Sequence, residues 1–273
     1  MYDVRRYYRT VSRFMDAELA DRGDGALWCS VAQQSRPGLL LEIGCGSGRV
    51  TIQLAEAGAR VVGIDLSPEL IEIARRRLAG RANVWLLLAD VRRLGLGARF
   101  AAIVAPDDPF SHLTDSDDRQ RALSTVREHL APGGRFVLDA LWFPPGDERQ
   151  GSSSEGWVRE HDVTHQGRPL HISERWQCDQ NTHVCSTRFD YVAEGGETAQ
   201  ARFEARYWTP GELRERLAAA GLQVTGWWGN YEREPWDEQR SRHLVVEAKA
   251  VHSAPKTPST ARRKSSKSIG LIR

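Results

Sequence analysis

The chain has 273 residues, 40% of them apolar and 27% charged, the ordinary balance of a globular protein with one large domain or one domain and an insert. No apolar run is long enough to span a bilayer, and the charged, aromatic start MYDVRRYYRT does not read as a secretory signal. The net charge of +2 hides a split: 251–273 carries six basic residues (Lys256, Arg262, Arg263, Lys264, Lys267, Arg273) and no acids. The body before it is therefore mildly acidic and lacks the basic footprint of nucleic-acid binding.

In chain order, 1–36 reads as a helical cap. Val11, Phe14, Met15 and Leu19 form one apolar face at helical spacing, DRGDG breaks it, and ALWCSVAQQ resumes a helix before Pro37-Gly38. From 37 to 142 strands and helices alternate. LLLEIG, RVVGID, VWLLLAD, FAAIVAP and RFVLDAL are expected strands; RVTIQLAEAG, SPELIEIARRRLAG and TDSDDRQRALSTVREHLAPGG are expected helices. Ser67, Pro68 and Gly80 punctuate the second helix as N-cap, first turn and stop. This alternation predicts an α/β fold, a parallel sheet with helices on both faces. Between 143 and 208 the pattern becomes β-like, with DQNT as a hairpin turn, and predicts a small antiparallel insert that acts as a lid. Thr209, Pro210 and Gly221 bound a last helix, and QVTGWWGNY and RHLVVEAKA read as closing strands that complete the core over 209–250. The Ser-, Pro- and Lys-rich 251–273 reads as a disordered basic tail. The four cysteines (Cys29, Cys45, Cys178, Cys185) are scattered with no CxxC, so a reduced, cytoplasmic protein is the default.

The stretch LLLEIGCGSGRV bares the backbone at Gly44, Gly46 and Gly48, where a strand should end and a helix begin. Glycines at such a turn let a ligand approach the main chain. The spacing is GxGxG, not the dinucleotide fingerprint GxGxxG, and Arg49-Val50 follows where a phosphate loop of the Walker type wants Lys-Ser/Thr. Asp65 ends VVGID, where a carboxylate can accept both hydroxyls of a ribose; a nicotinamide-dinucleotide fold places an acid there too. Asp90 ends the third strand, where it can accept from an adenine amino group while the Val91 N–H meets a ring nitrogen. Dinucleotide folds have no regular need for that acid, so an NAD-dependent dehydrogenase is the weaker reading.

LLEIGCGSGRVTIQLAEAG, VVGIDLSPELIEIAR, LLLADV, FAAIVAPDDPFSHL and LAPGGRFVLD, in this order and spacing, resemble a class I S-adenosylmethionine-dependent methyltransferase. The likeness covers roughly Leu39 to Ala140. It implies a Rossmann-like, seven-stranded, mostly parallel sheet whose last strand runs antiparallel, with S-adenosyl-L-methionine as cofactor. By the resemblance, Glu42 and the loop Gly44, Cys45, Gly46, Gly48 face the cofactor's methionine part. Asp65, with Leu66 beside it, takes the ribose, Asp90 and Val91 take the adenine, and Ala105 lies near the methionine end.

What is methylated is less legible. DDPF resembles the [DNS]PP[YFW] element of enzymes that methylate planar nitrogens but lacks its second proline. FSHL and YDVRRYY resemble small-amine enzymes of the glycine and amino-sugar N-methyltransferase type. There Tyr7 or Tyr8 could bond the cofactor carboxylate, as could Arg13 by charge, or these aromatics merely pack the first helix. His112 is the candidate catalytic base, or else a histidine that orients its loop. Asp107 and Asp108 either attract a cationic amine or are loop acids. The insert holds His161, His165, His171, Cys178, His183 and Cys185 without a metal-ligand spacing, so no metal is expected. Its Trp157 and Trp176, with Trp142, Phe143 and Trp208, either line an acceptor pocket or form core. The reading is methyl transfer to a small-molecule amine or hydroxyl, without membrane or nucleic-acid partners. RNA or protein methylation, or a non-catalytic binding module of this fold, are the alternatives.

Overall fold

The computed structural model describes residues 4–19, 22–147 and 156–251. The tail expected to be disordered lies, from residue 252 onward, outside the described residues.

The expected alternation builds β1 (Leu39–Ile43), β2 (Arg60–Asp65), β3 (Val84–Leu88), β4 (Phe100–Ala105) and β5 (Leu130–Ala140), then, after the insert, β10 (Leu222–Trp228) and β11 (Leu244–Ala250). They form one seven-stranded sheet in the order β10-β11-β5-β4-β1-β2-β3. Only β11 runs antiparallel to its neighbours β5 and β10. The chain leaves β1 toward β2 and β3, then returns on the other side of β1 with β4. That reversal opens a crevice beyond the carboxyl ends of β1 and β4, where open α/β sheets bind ligands.

Helices cover both faces because both faces of the central strands are apolar. α3 (Gly25–Ser35) and α4 (Arg49–Glu56) lay Leu27, Trp28, Val31 and Leu54 against Leu40, Val61 and Val104. On the other face α6 (Ser116–His129) and α7 (Pro210–Ala219) bring Leu123, Val126, Leu213 and Leu217 onto Ile103, Phe136 and Val246. α5 (Pro68–Arg77) starts as its sequence spells: the Leu70 N–H donates to Ser67 Oγ at 3.2 Å, with Pro68 in the first turn. Thr209 caps α7 in the same way through the Glu212 N–H.

Two boundaries differ from the sequence reading. The helix before β5 stops at His129, not at Pro132-Gly133-Gly134; those residues lie inside β5, where the register against β4 slips between Phe100 and Ala102. The single N-terminal apolar face is broken too. α1 (Val4–Val11) and α2 (Met15–Glu18) are separate, and the turn between them sends Val11 and Phe14 into a common apolar cluster.

The partner of that cluster is the insert. β6 (Trp157–His165), β7 (Arg168–Asp179), β8 (Val184–Ala193) and β9 (Thr198–Arg206) form a separate antiparallel sheet in sequence order, with the β7–β8 turn at the expected residues. Its buried face alternates along each strand. Leu170, Ile172, Phe189 and Tyr191 pack on Tyr7, Val11 and Phe14, so the N-terminal helices lie against the insert. Register sets Cys178 opposite Cys185, and the structure bonds them as a disulfide. This corrects the expectation of four reduced cysteines; Cys29 and Cys45 are free. Among the described residues no helix is long and apolar enough to cross a membrane.

Candidate active site

The crevice beyond β1 and β4 is a cavity of about 560 Å³, within the range of small-molecule sites. Its floor is the glycine loop. Gly44, Gly46 and Gly48 all take positive φ, at +70°, +53° and +85°. A Cβ on Gly44 would stand 2.7 Å from Pro109, so this residue must be glycine for the loop after β4 to close over it. Gly44 and Cys45 donate their N–H groups to the Ile64 carbonyl, and Gly46 donates to Asp65 Oδ2 at 2.9 Å. Asp65 Oδ1 takes the Ser67 N–H at 2.8 Å. One carboxylate thus ties the glycine loop to the start of α5. Burial raises the Asp65 pKa and these N–H bonds oppose the rise.

Of the residues singled out in the sequence, Tyr8, Glu42, Gly44, Cys45, Gly46, Asp65, Leu66, Asp90, Val91 and His112 all line this cavity. Two do not. Ala105, the last residue of β4, is fully buried in the core, and Pro106 and Asp107 form the wall in its place. Gly48 faces the protein: a Cβ there would meet Leu78 at 3.0 Å and Ala74 at 3.4 Å, so it is glycine for helix packing. Of the other N-terminal options, Tyr7 is buried in the cluster shared with the insert, and Arg13 pairs with Glu197 of the insert at 2.5 Å.

Glu42 is 1% exposed, accepts from Thr51 Oγ1 at 2.6 Å, and burial pushes its pKa up to about 8. Asp90 behaves oppositely. Arg92 clamps it with Nε at 2.9 Å and Nη2 at 2.6 Å, and this guanidinium holds its carboxyl below the usual range. Arg92 also reaches Asp118 across the cavity wall.

At the tip of β4, Asp107 and Asp108 are consecutive non-glycine residues at positive φ, +55° and +39°, a conformation that surrounding contacts must hold. Asp108 supplies them: its carboxylate accepts from the Phe110 and Leu141 N–H groups and from Trp208 Nε1. It is 2% exposed, with a pKa raised by burial to about 7. Asp107 faces the cavity and pairs with Arg22 at 2.7 Å; Arg22 in turn reaches Asp139 at 2.8 Å. The sequence reading missed Arg22, and likewise Arg49, which is held by both oxygens of Asp24 at 2.7 and 2.8 Å. The interrupting DRGDG carried that signal, since charged residues crowding a glycine turn beside the loop ask for partners.

Over this wall, the Tyr8 hydroxyl and His112 Nε2 are 2.7 Å apart. Burial lowers the His112 pKa to about 4, against an opposing pull from Asp107. At neutral pH the imidazole is therefore neutral, and its Nε2 and the Tyr8 hydroxyl share one proton-bearing contact. The five aromatics weighed for an acceptor pocket fall elsewhere: Trp142 and Trp208 in the main core, Phe143 and Trp176 in a small cluster joining the insert to the body, with Trp157 packed against it.

The glycine loop and two strand-tip carboxylates suit an adenosyl cofactor, and the comparisons agree. Residues 40–134 match the family model described as "Methyltransferase domain". The chain belongs to the S-adenosylmethionine-dependent methyltransferase family. It is 30% identical over 209 residues to the cypemycin N-terminal methyltransferase of a Streptomyces species, covering 76% of this chain and 81% of that protein. It is 30% identical over 188 residues to a dTDP-3-amino-3,4,6-trideoxy-alpha-D-glucopyranose N,N-dimethyltransferase of Streptomyces venezuelae, covering 68% and 75%. Among solved structures, the CcbJ methyltransferase of Streptomyces caelestis superposes with a TM-score of 0.73 at 25% identity, over 87% of this chain and 96% of that one.

Proposed function

We propose that this enzyme methylates an amine nitrogen of a small molecule, with the cofactor lying along the glycine loop and the acceptor entering between the β4 tip, the N-terminal helices and the lid. S-Adenosylmethionine, when bound, supplies an electrophilic methyl carbon for in-line displacement. Glu42 and Gly46 would flank its methionine part, Asp65 its ribose, and Asp90 with the Val91 N–H its adenine. The observation that carries the amine reading is the neutral, low-pKa His112 bonded to Tyr8 above the cavity. A histidine with a pKa near 4 is a weak base for a hydroxyl acceptor, whereas an amine that has already lost its proton to solvent needs only orientation. The Tyr8–His112 pair orients the nitrogen. The relatives named for peptide N-terminal and amino-sugar methylation support the same reading.

The test is methyl transfer from labelled S-adenosylmethionine to a matched panel of amines and phenols. N-methyl products from the amines alone are expected. Products from the phenols alone would contradict the reading.

A further inference from the structure

At the end of β3 the Asp90 carboxylate is braced by one neighbour. Its Oδ1 accepts from the Arg92 backbone N–H and from Arg92 Nε, both at 2.9 Å, and its Oδ2 accepts from Arg92 Nη2 at 2.6 Å. A carboxylate offers about four acceptor positions, so one remains for a donor arriving from the cavity that Asp90 lines. The guanidinium is fixed at its other end too: Nη1 donates to Asp118 Oδ2 at 2.5 Å. Asp118 stands in the first turn of α6, where its N–H donates to Asp115 at 3.0 Å and its other oxygen is held by Arg121. Arg92 and Asp118 also line the cavity. Arg121, Asp118, Arg92 and Asp90 thus form a chain of alternating charge from the surface of α6 to the tip of β3.

A lone ion pair near the surface contributes little and leaves its carboxylate free to turn. Bracing at both ends of the guanidinium removes that freedom, so the edge that Asp90 shows the cavity is set before a ligand arrives. Recognition of a purine edge depends on this. Adenine carries an amino donor at C6 and an acceptor at N1, which match the Asp90 carboxylate and the Val91 N–H. Hypoxanthine reverses both, with an oxygen at C6 and a hydrogen on N1. A guanidinium released from Asp118 has N–H groups to turn toward that oxygen, and the distinction between the two bases is lost.

We infer that Asp118, acting through Arg92, is a positioning residue that makes the cofactor site selective for adenine over 6-oxopurines. This rests on the placement of adenine at Asp90 proposed above, and its test separates the two. The full chain is titrated calorimetrically with S-adenosylhomocysteine and with S-inosylhomocysteine. The adenosyl compound is expected to bind at least about tenfold tighter, the worth of a hydrogen bond to a charged group. Asp118→Ala and Arg92→Met should each reduce that preference to about threefold or less, with an unchanged thermal midpoint as the check on folding. In an Asp90→Ala background Asp118→Ala should reduce it no further, as expected of residues that act through one another. Equal binding of the two compounds by the unaltered chain would overturn the selectivity. A preference undiminished in both single variants, with affinity for the two compounds lowered alike, is what a merely structural role gives and would overturn the relay. A further fall in the Asp90→Ala background would do the same, because Asp118 would then meet the base itself. If Asp90→Ala alone lowers the preference, the adenine placement stands and the relay falls; if Asp90→Ala leaves it intact, both fall.

Discussion

Glu42 reaches the cavity from β1 as a carboxyl that burial keeps protonated up to about pH 8. A ligand bringing positive charge beside it favours the ionised form and expels the proton. Affinity for S-adenosylmethionine should therefore rise with pH below 8, by up to tenfold per unit, and level off above it. Calorimetry between pH 6 and 9 reads this directly, and Glu42→Gln should flatten the rise. His112 lies on the other side of its titration: with a pKa of about 4 instead of 6.5, it should leave no inflection near 6.5 in the pH profile of kcat. If Tyr8 and His112 orient the acceptor, Tyr8→Phe should lower kcat roughly 10- to 100-fold, as misplacement by about an ångström does. S-Adenosylhomocysteine binding should change far less. A Tyr8→Phe enzyme with unchanged kcat would remove the pair from the reaction.

At the scale of elements, the loop after β4 owes its shape to contacts from distant parts of the chain. Asp108 is fastened by Leu141 at the end of β5 and by Trp208 just before α7. Trp208→Phe keeps the apolar ring but leaves a buried carboxylate lacking one donor. It should cost about 1–3 kcal/mol, seen as a lower midpoint in urea with an unchanged slope. What sequence conveyed, and what it did not, divides at this level. Ser67, Thr209 and the glycine triplet declare themselves because a cap or a positive φ constrains a residue type locally. The pairing of Asp65 with Gly46 follows from strand order, so it too was within reach. Asp107 and Asp108 are neighbours of one type, and only tertiary packing turns one into the cavity and the other into the core. Ala105 ends β4 as expected, but packing buries its side chain, and which residue at a strand tip faces the cavity is again decided by tertiary contacts.

For the whole molecule, the buried acids set how stability varies with pH. Glu18 and Glu42 titrate near 8 and Asp108 near 7 in the fold, against ordinary values of 4.5, 4.5 and 3.8. Between those limits the folded chain binds more protons than the unfolded one, so these groups make stability fall as pH rises. His112 acts in the other direction, adding stability as pH climbs from about 4 to 6.5. Among the groups displaced furthest between pH 4 and 8, three oppose one. The ligand-free protein should have its highest Tm near pH 5 and lose several degrees by pH 8 in thermal scans. A Tm that rises over that interval would mean these carboxyls ionise freely in the fold. The insert shares in this, because Glu18 joins the N-terminal helices to it through Tyr191.

The measurement that reaches the centre of the account is calorimetric titration of the full chain with S-adenosylhomocysteine and NAD, repeated on Asp90→Ala. Asp90 is partly exposed and held by Arg92, so its loss should leave the fold intact. The account predicts binding of the adenosyl compound, no binding of NAD, and affinity at least about tenfold weaker in Asp90→Ala, the loss of a charged hydrogen bond. Undiminished affinity in the variant would contradict the placement of adenine at the end of β3, and with it the way the cofactor is laid along the glycine loop.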